Sequence, residues 1–168
     1  MITREHKLLD GTARRAVYSD DEWHRFRLDV IWGPEKPINF IMLNPSTATE
    51  ERDDPTVARC VTRARGLGAG GLIVTNLFAY RATDPRELKR LKIYDSIGGG
   101  NHLFIMQAIK DSSLVVCGWG SHGGEIGLIV RDWLRGAGVK LHVLKLTKEG
   151  APAHPLYLGY DLKPVPWT

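Results

Sequence analysis

Cysteine is nearly missing: Cys60 and Cys117 are the only two in 168 residues, and their separation fits no metal-ligand spacing. This argues against a disulfide scaffold, and both read as buried thiols of a reduced, cytoplasmic compartment. No apolar run reaches the roughly 18 residues that a membrane span needs, and Met1 to Asp10 is charged, without the apolar segment of a secretory signal. Membrane association is therefore not expected. The histidines (His6, His24, His102, His122, His142 and His154) form no i, i+4 pair and no carboxylate-flanked cluster, so no metal site is expected. No Gly-Lys-Ser/Thr completes a P-loop, no nucleophile elbow occurs, and no cofactor is implied. Repeats, low-complexity stretches and long linkers are also lacking.

What is present is an ordinary globular composition, 43% hydrophobic and 25% charged. A chain of this length is expected to form one domain with a real core. Lys+Arg exceed Asp+Glu by 23 to 19, a net +4, which permits DNA or a nucleotide as partner without demanding it. Nothing in the sequence sets an oligomeric state.

Periodicity divides the chain into an N-terminal hairpin extension (1–36), an α/β core (37–158) and a C-terminal tail (159–168). In the extension, Ala13–Ser19 and Phe26–Trp32 flank a turn-prone Asp20-Asp21, and Phe26, Leu28, Val30 and Trp32 alternate as in a half-buried strand. In the core, Ile38–Leu43, Leu72–Phe78, Leu114–Cys117 and Val139–Leu146 are short β-rich runs, the first three nearly continuous in apolar residues. Helical patterns lie between them: one capped by Asp54-Pro55, a short one from Asp84-Pro85 to Leu91, and others over about 101–110 and 125–135. This alternation predicts a three-layer α/β/α sandwich with a mainly parallel central sheet.

In such sheets, ligands collect beyond the carboxyl ends of the strands. The segments there are Asn44–Asp54, Ala79–Asp84, Gly118–Gly124 and Thr147–Tyr157, and they are rich in polar and aromatic residues. Asn44 would project from a strand end, where an amide can orient water or read a base edge. Ser46 and Thr47 suit a phosphate or simply a turn, and Asp53 is free for chemistry if Asp54 caps the helix. Arg59, on a stripe with Thr56 and Arg63, reads either as a solvated helix face or as a phosphate contact one turn from the binding end. Asn76, inside an apolar strand, must find partners and is expected to pin a loop. Tyr80 beside Arg81 suits base stacking and phosphate pairing; the alternative is a core-edge ring with Arg81 bridging to Asp84. Gly118-Trp119-Gly120-Ser121-His122-Gly123 matches GxGxxG, but the acid expected at the end of the following strand is replaced by Thr147-Lys148. Its glycines are still able to bring backbone N–H groups to an anion, which leaves a nucleotide-using transferase as a minor reading. In the last segment, Lys148 and Tyr157 are polar candidates and His154 is a candidate acid or anion-stabilising donor, or else a packing residue.

The runs Met42-Leu43-Asn44-Pro45-Ser46-Thr47-Ala48, Asp53-Asp54-Pro55-Thr56, Asn76-Leu77-Phe78-Ala79-Tyr80-Arg81-Ala82-Thr83, Trp119-Gly120-Ser121-His122-Gly123 and His154-Pro155-Leu156-Tyr157 resemble a bacterial and phage family of unknown function over nearly the whole chain. More remotely, the order of signals resembles the uracil-DNA glycosylase superfamily. That superfamily has a parallel-sheet α/β/α fold, a water-positioning loop in the slot of Leu43-Asn44-Pro45, an asparagine near the end of a second strand as in Thr75-Asn76-Leu77, and a late His-Pro-Ser motif. Leu156 stands here where that motif has serine. The resemblance implies an N-glycosylase-like hydrolase acting on a base, modified or not, in DNA or a nucleotide. Asn44 or Asp53 would orient water, His154 would stabilise the departing base, Asn76 would read its edge, and Phe78, Tyr80 or Trp119 would stack on it. The alternative is a non-catalytic nucleotide- or nucleic-acid-binding module of the same fold.

Overall fold

The computed structural model describes residues 1–168, the side chain of Lys89 excepted. Its strands are β1 (Ile2–Lys7), β2 (Ala13–Tyr18), β3 (Arg25–Ile31), β4 (Ile38–Met42), β5 (Gly71–Asn76), β6 (Leu114–Cys117), β7 (Leu141–Val143) and β8 (Val165–Pro166). The helices are α1 (Pro55–Gly66), α2 (Ile93–Ile97), α3 (Asn101–Asp111) and α4 (Gly124–Gly136). All strands join one mixed sheet in the order β1-β2-β3-β5-β4-β6-β7-β8.

A mainly parallel sheet is not what forms. Only β5-β4-β6-β7 is parallel; four of the seven pairings are antiparallel. The reason lies in β3. Its Leu28 and Val30 belong to the same apolar cluster as Leu72 and Val74 of β5, so the expected hairpin docks edge-on to the core and continues its sheet. The hairpin also gains β1 as a third strand, and β8 closes the far edge antiparallel to β7.

Helices cover both faces. Ile38, Phe40 and Met42 of β4 pack with Val57, Cys60 and Ala64 of α1, while Ile41 and the following Leu43 share a cluster with Ile105 of α3 and Leu134 of α4. This is the two-residue alternation of a strand buried on both sides. Helix α1 starts as its sequence dictates: the Asp54 carboxylate accepts from the Val57 N–H at 2.8 Å, with Pro55 at the first helical position. The Asp84-Pro85 segment forms a 3₁₀ helix, Pro85–Arg90, rather than an α-helix. Among the described residues no helix is long and apolar enough to cross a membrane.

The chain leaves β4 through α1 to reach β5 on one side, and leaves β6 through α4 to reach β7 on the other. The direction of winding therefore reverses between the neighbours β4 and β6. Such a reversal opens a crevice beyond the strand carboxyl ends.

Candidate functional site

A cavity of about 730 Å³ occupies that crevice, within the size range of small-molecule sites. Asn44, Ser46, Thr47 and Asp54 line it from the β4 loop, Asn76 from β5, Trp119, Ser121 and His122 from the β6 loop, and Thr147, His154 and Tyr157 from the last segment. Chain regions far apart in sequence thus converge at the strand ends.

Asn76 is the most unusual wall residue. It is 1% exposed, and among the described residues both its Nδ2 and Oδ1 lack a hydrogen-bond partner. The pinning role expected of it belongs instead to Asn101, whose Nδ2 donates to the Asn76 and Leu77 carbonyls at 2.9 and 3.2 Å. An unpaired buried amide costs about 1–3 kcal/mol, so this side chain is retained against a stability penalty.

His154 is half-buried, and its Nδ1 accepts from the Leu156 N–H at 3.3 Å. The neutral ring therefore carries its proton on Nε2. Burial holds its pKa below the ordinary 6.5, although the Asp54 carboxylate pulls the other way. At neutral pH this residue is an uncharged N–H donor. Asn44 directs its Nδ2 to the Pro45 and Ala82 carbonyls at 2.9 and 2.7 Å, which leaves Oδ1 as its remaining acceptor.

Trp119 is 2% exposed and stacks edge-on against Trp167 with ring centroids 5.7 Å apart. A Cβ at Gly123 would overlap its ring, and one at Gly127 would lie 2.6 Å from its Nε1. These glycines make room for indole, which accounts for the last glycine of the GxGxxG pattern without a phosphate.

Several other candidates lie off the wall. Asp53, freed from capping by Asp54, sits 2.6 Å from Arg14 Nη2. Arg59 donates to the Leu156 and Leu158 carbonyls at 2.8 and 3.3 Å, and Arg63 to the Leu158 and Gly159 carbonyls at 2.8 and 2.9 Å. Both therefore moor the His154 segment. Tyr80 stacks on Trp23 at 5.8 Å. Arg81 lies over the Tyr18 ring and donates to the Glu22 carbonyl at 3.3 Å rather than to Asp84. Phe78 is buried in the core, and Lys148 is exposed away from the cavity. Among the described residues no group of three or more His, Cys, Asp or Glu is arranged to hold a metal.

Arg25 lines the cavity, and nothing in the sequence pattern marks it. Tyr18 pairs with Arg25 and Val17 with Arg27, so Phe26 is an extra residue in β3. This bulge interrupts the alternation. Phe26 stacks on Phe104 at 4.9 Å, while the Arg25 Nη1 donates to the Ala48 carbonyl of the β4 loop. Because β3 runs antiparallel to β5, its first residue stands at the carboxyl end of β5. Arg25 is 2% exposed and its Nε has no partner. Among the described residues it makes no ion pair with a carboxylate, and burial pushes its pKa down to about 10.

No curated protein and no solved structure matches the chain. A family match covers residues 25–156, from Arg25 to Leu156, and so takes in the cavity wall except Tyr157 and Leu158. By that match the chain belongs to DUF1643, a family described as protein of unknown function.

Proposed function

We propose that the chain is an N-glycosylase-like hydrolase that accepts a nucleobase in the cavity at the β4/β6 crevice. The observation that carries this reading is Asn76, a fully buried amide on the cavity wall with both polar atoms unpaired. A base edge offers a donor and an acceptor side by side, the complement of an amide. Trp119 supplies an aromatic wall, and His154 offers a neutral Nε2–H to the base as it departs with negative charge. Asn44 Oδ1 is an acceptor for the attacking water. The parallel strands β5-β4-β6-β7 with helices on both faces support this reading, though the sheet as a whole is mixed.

One observation favours the alternative, a binding module without turnover. Asp53 is paired with Arg14, and Asp54 accepts from Val57 and Ala48 N–H groups, so both nearby carboxylates are engaged. Cleavage through an oxocarbenium-like transition state depends more on stabilising the leaving base than on a strong general base, which keeps the hydrolase reading first. The deciding experiment incubates the protein with nucleosides, nucleotides and oligonucleotides carrying a panel of modified bases, and reads released base by mass spectrometry. Release that disappears in both Asn76→Ala and His154→Ala supports the hydrolase. Binding without release supports the module, and neither binding nor release removes both.

A further inference from the structure

Arg25 has no place in the chemistry just described, yet it is a buried cation facing the same cavity as Asn76. A buried guanidinium without a carboxylate is costly, and an apolar side chain of similar volume would be the more stable choice. Only Nη1 is engaged, on the Ala48 carbonyl. Among the described residues Nε is buried with no hydrogen-bond partner, and Nη2 is its neighbour on the same edge. Those two atoms form the edge of the guanidinium that grips an oxyanion through two parallel hydrogen bonds. Hydroxyls of Ser46, Thr47 and Thr56 line the same cavity and are able to donate to the further oxygens that a phosphate presents.

Among the described residues, the cations that a continuous strand would need are absent from the cavity wall. Arg59 and Arg63 hold backbone carbonyls, Arg81 donates to Glu22, and Lys148 lies elsewhere. A strand also leaves a site at both ends, whereas Arg25 is a buried cation on the cavity wall, suited to a terminal phosphate. Resting on the base-binding role of Asn76 proposed above, we infer that the cavity takes a free nucleoside monophosphate, its base on Asn76 and its phosphate on Arg25.

The test is titration calorimetry of the full chain with nucleoside 5′-monophosphates, the matching nucleosides, inorganic phosphate and a single-stranded oligonucleotide, repeated with Arg25→Met and Arg25→Lys. Wild type is expected to bind a monophosphate about tenfold or more tightly than its nucleoside, as a charge-assisted bond implies, and more tightly than the oligonucleotide. Arg25→Met is expected to bring the monophosphate to the affinity of the nucleoside while the melting temperature holds or rises. Arg25→Lys, which keeps the charge and loses the fork, should fall between. Equal affinity of wild type for nucleoside and monophosphate overturns the phosphate site and leaves the base reading standing. Tighter binding of the oligonucleotide overturns the free-nucleotide assignment. Failure of every nucleoside-containing probe removes the base reading as well. The wild-type comparisons hold even if a variant fails to fold.

Discussion

Most of the arginines around the site act on backbone. Arg14 donates to the Thr49 and Glu50 carbonyls at 3.0 and 2.8 Å, Arg25 to that of Ala48, and Arg59 and Arg63 to those of the last loop. A carbonyl acceptor asks nothing of the side chain it belongs to, so these partnerships leave no trace in the sequence pattern. That is why Arg59 reads there as a solvated helix face or a phosphate contact, and why Arg25, a charge opening a strand, passes unnoticed. Asn76 and Trp119 stand out in the sequence for the opposite reason, each a polar or bulky residue at the end of an apolar run, and His154 stands out as a lone imidazole in a loop between Pro152 and Pro155. His154 has a measurable signature. Its folded pKa lies below the unfolded value, so the unfolded chain binds more protons once the pH falls under about 6.5. Its contribution to stability is present above pH 6.5 and is lost as the pH falls toward the folded pKa. Denaturant unfolding of wild type and His154→Gln across pH 5 to 8 is expected to show this slope in wild type only, with the folded pKa read by NMR titration of the ring.

Among the elements, those with an apolar periodicity were legible and those held by backbone alone were not. Helix α1 and strands β2 to β6 follow from their patterns. Strand β1 is exposed from Thr3 to Lys7 and pairs with β2 along its main chain, and β8 is two residues long and contains Pro166. Neither has an alternation to read. The start of α1 also joins element to chemistry, because Asp54 both caps the helix and raises the proton affinity of His154. Asp54→Asn keeps an acceptor for the Val57 N–H, gives up the longer 3.3 Å bond from the Ala48 N–H and removes the charge. Its melting temperature is expected to change little, while the His154 pKa, followed by NMR, falls further. Asp54→Ala removes the acceptor too and is expected to cost about 1 kcal/mol in denaturant unfolding.

For the whole molecule, the mixed sheet means that the N-terminal strands are part of the core sheet. β3 covers one edge of β5 through four residue pairs, Leu28–Val74 to Ile31–Gly71, and supplies Arg25. Removing residues 1–36 would bare that edge and the apolar face beneath it, a template for aggregation. The truncated chain is expected to aggregate and to show no nucleotide binding, as read by light scattering and calorimetry; a monodisperse, binding-competent fragment would show the strands to be dispensable. In the intact chain the open edge falls to β1, whose Arg4, Glu5, His6 and Lys7 are exposed and disfavour edge-to-edge pairing. At the other end of the site, α1 holds the His154 segment by its carbonyls, across a sequence separation of 97 residues for Arg59 and Leu156. The side chains of Leu156 and Tyr157 are thereby released from any duty of anchoring. Substitutions at these two cavity-lining positions can reshape what the pocket accepts while the loop stays docked, so ligand preference and fold can evolve independently here.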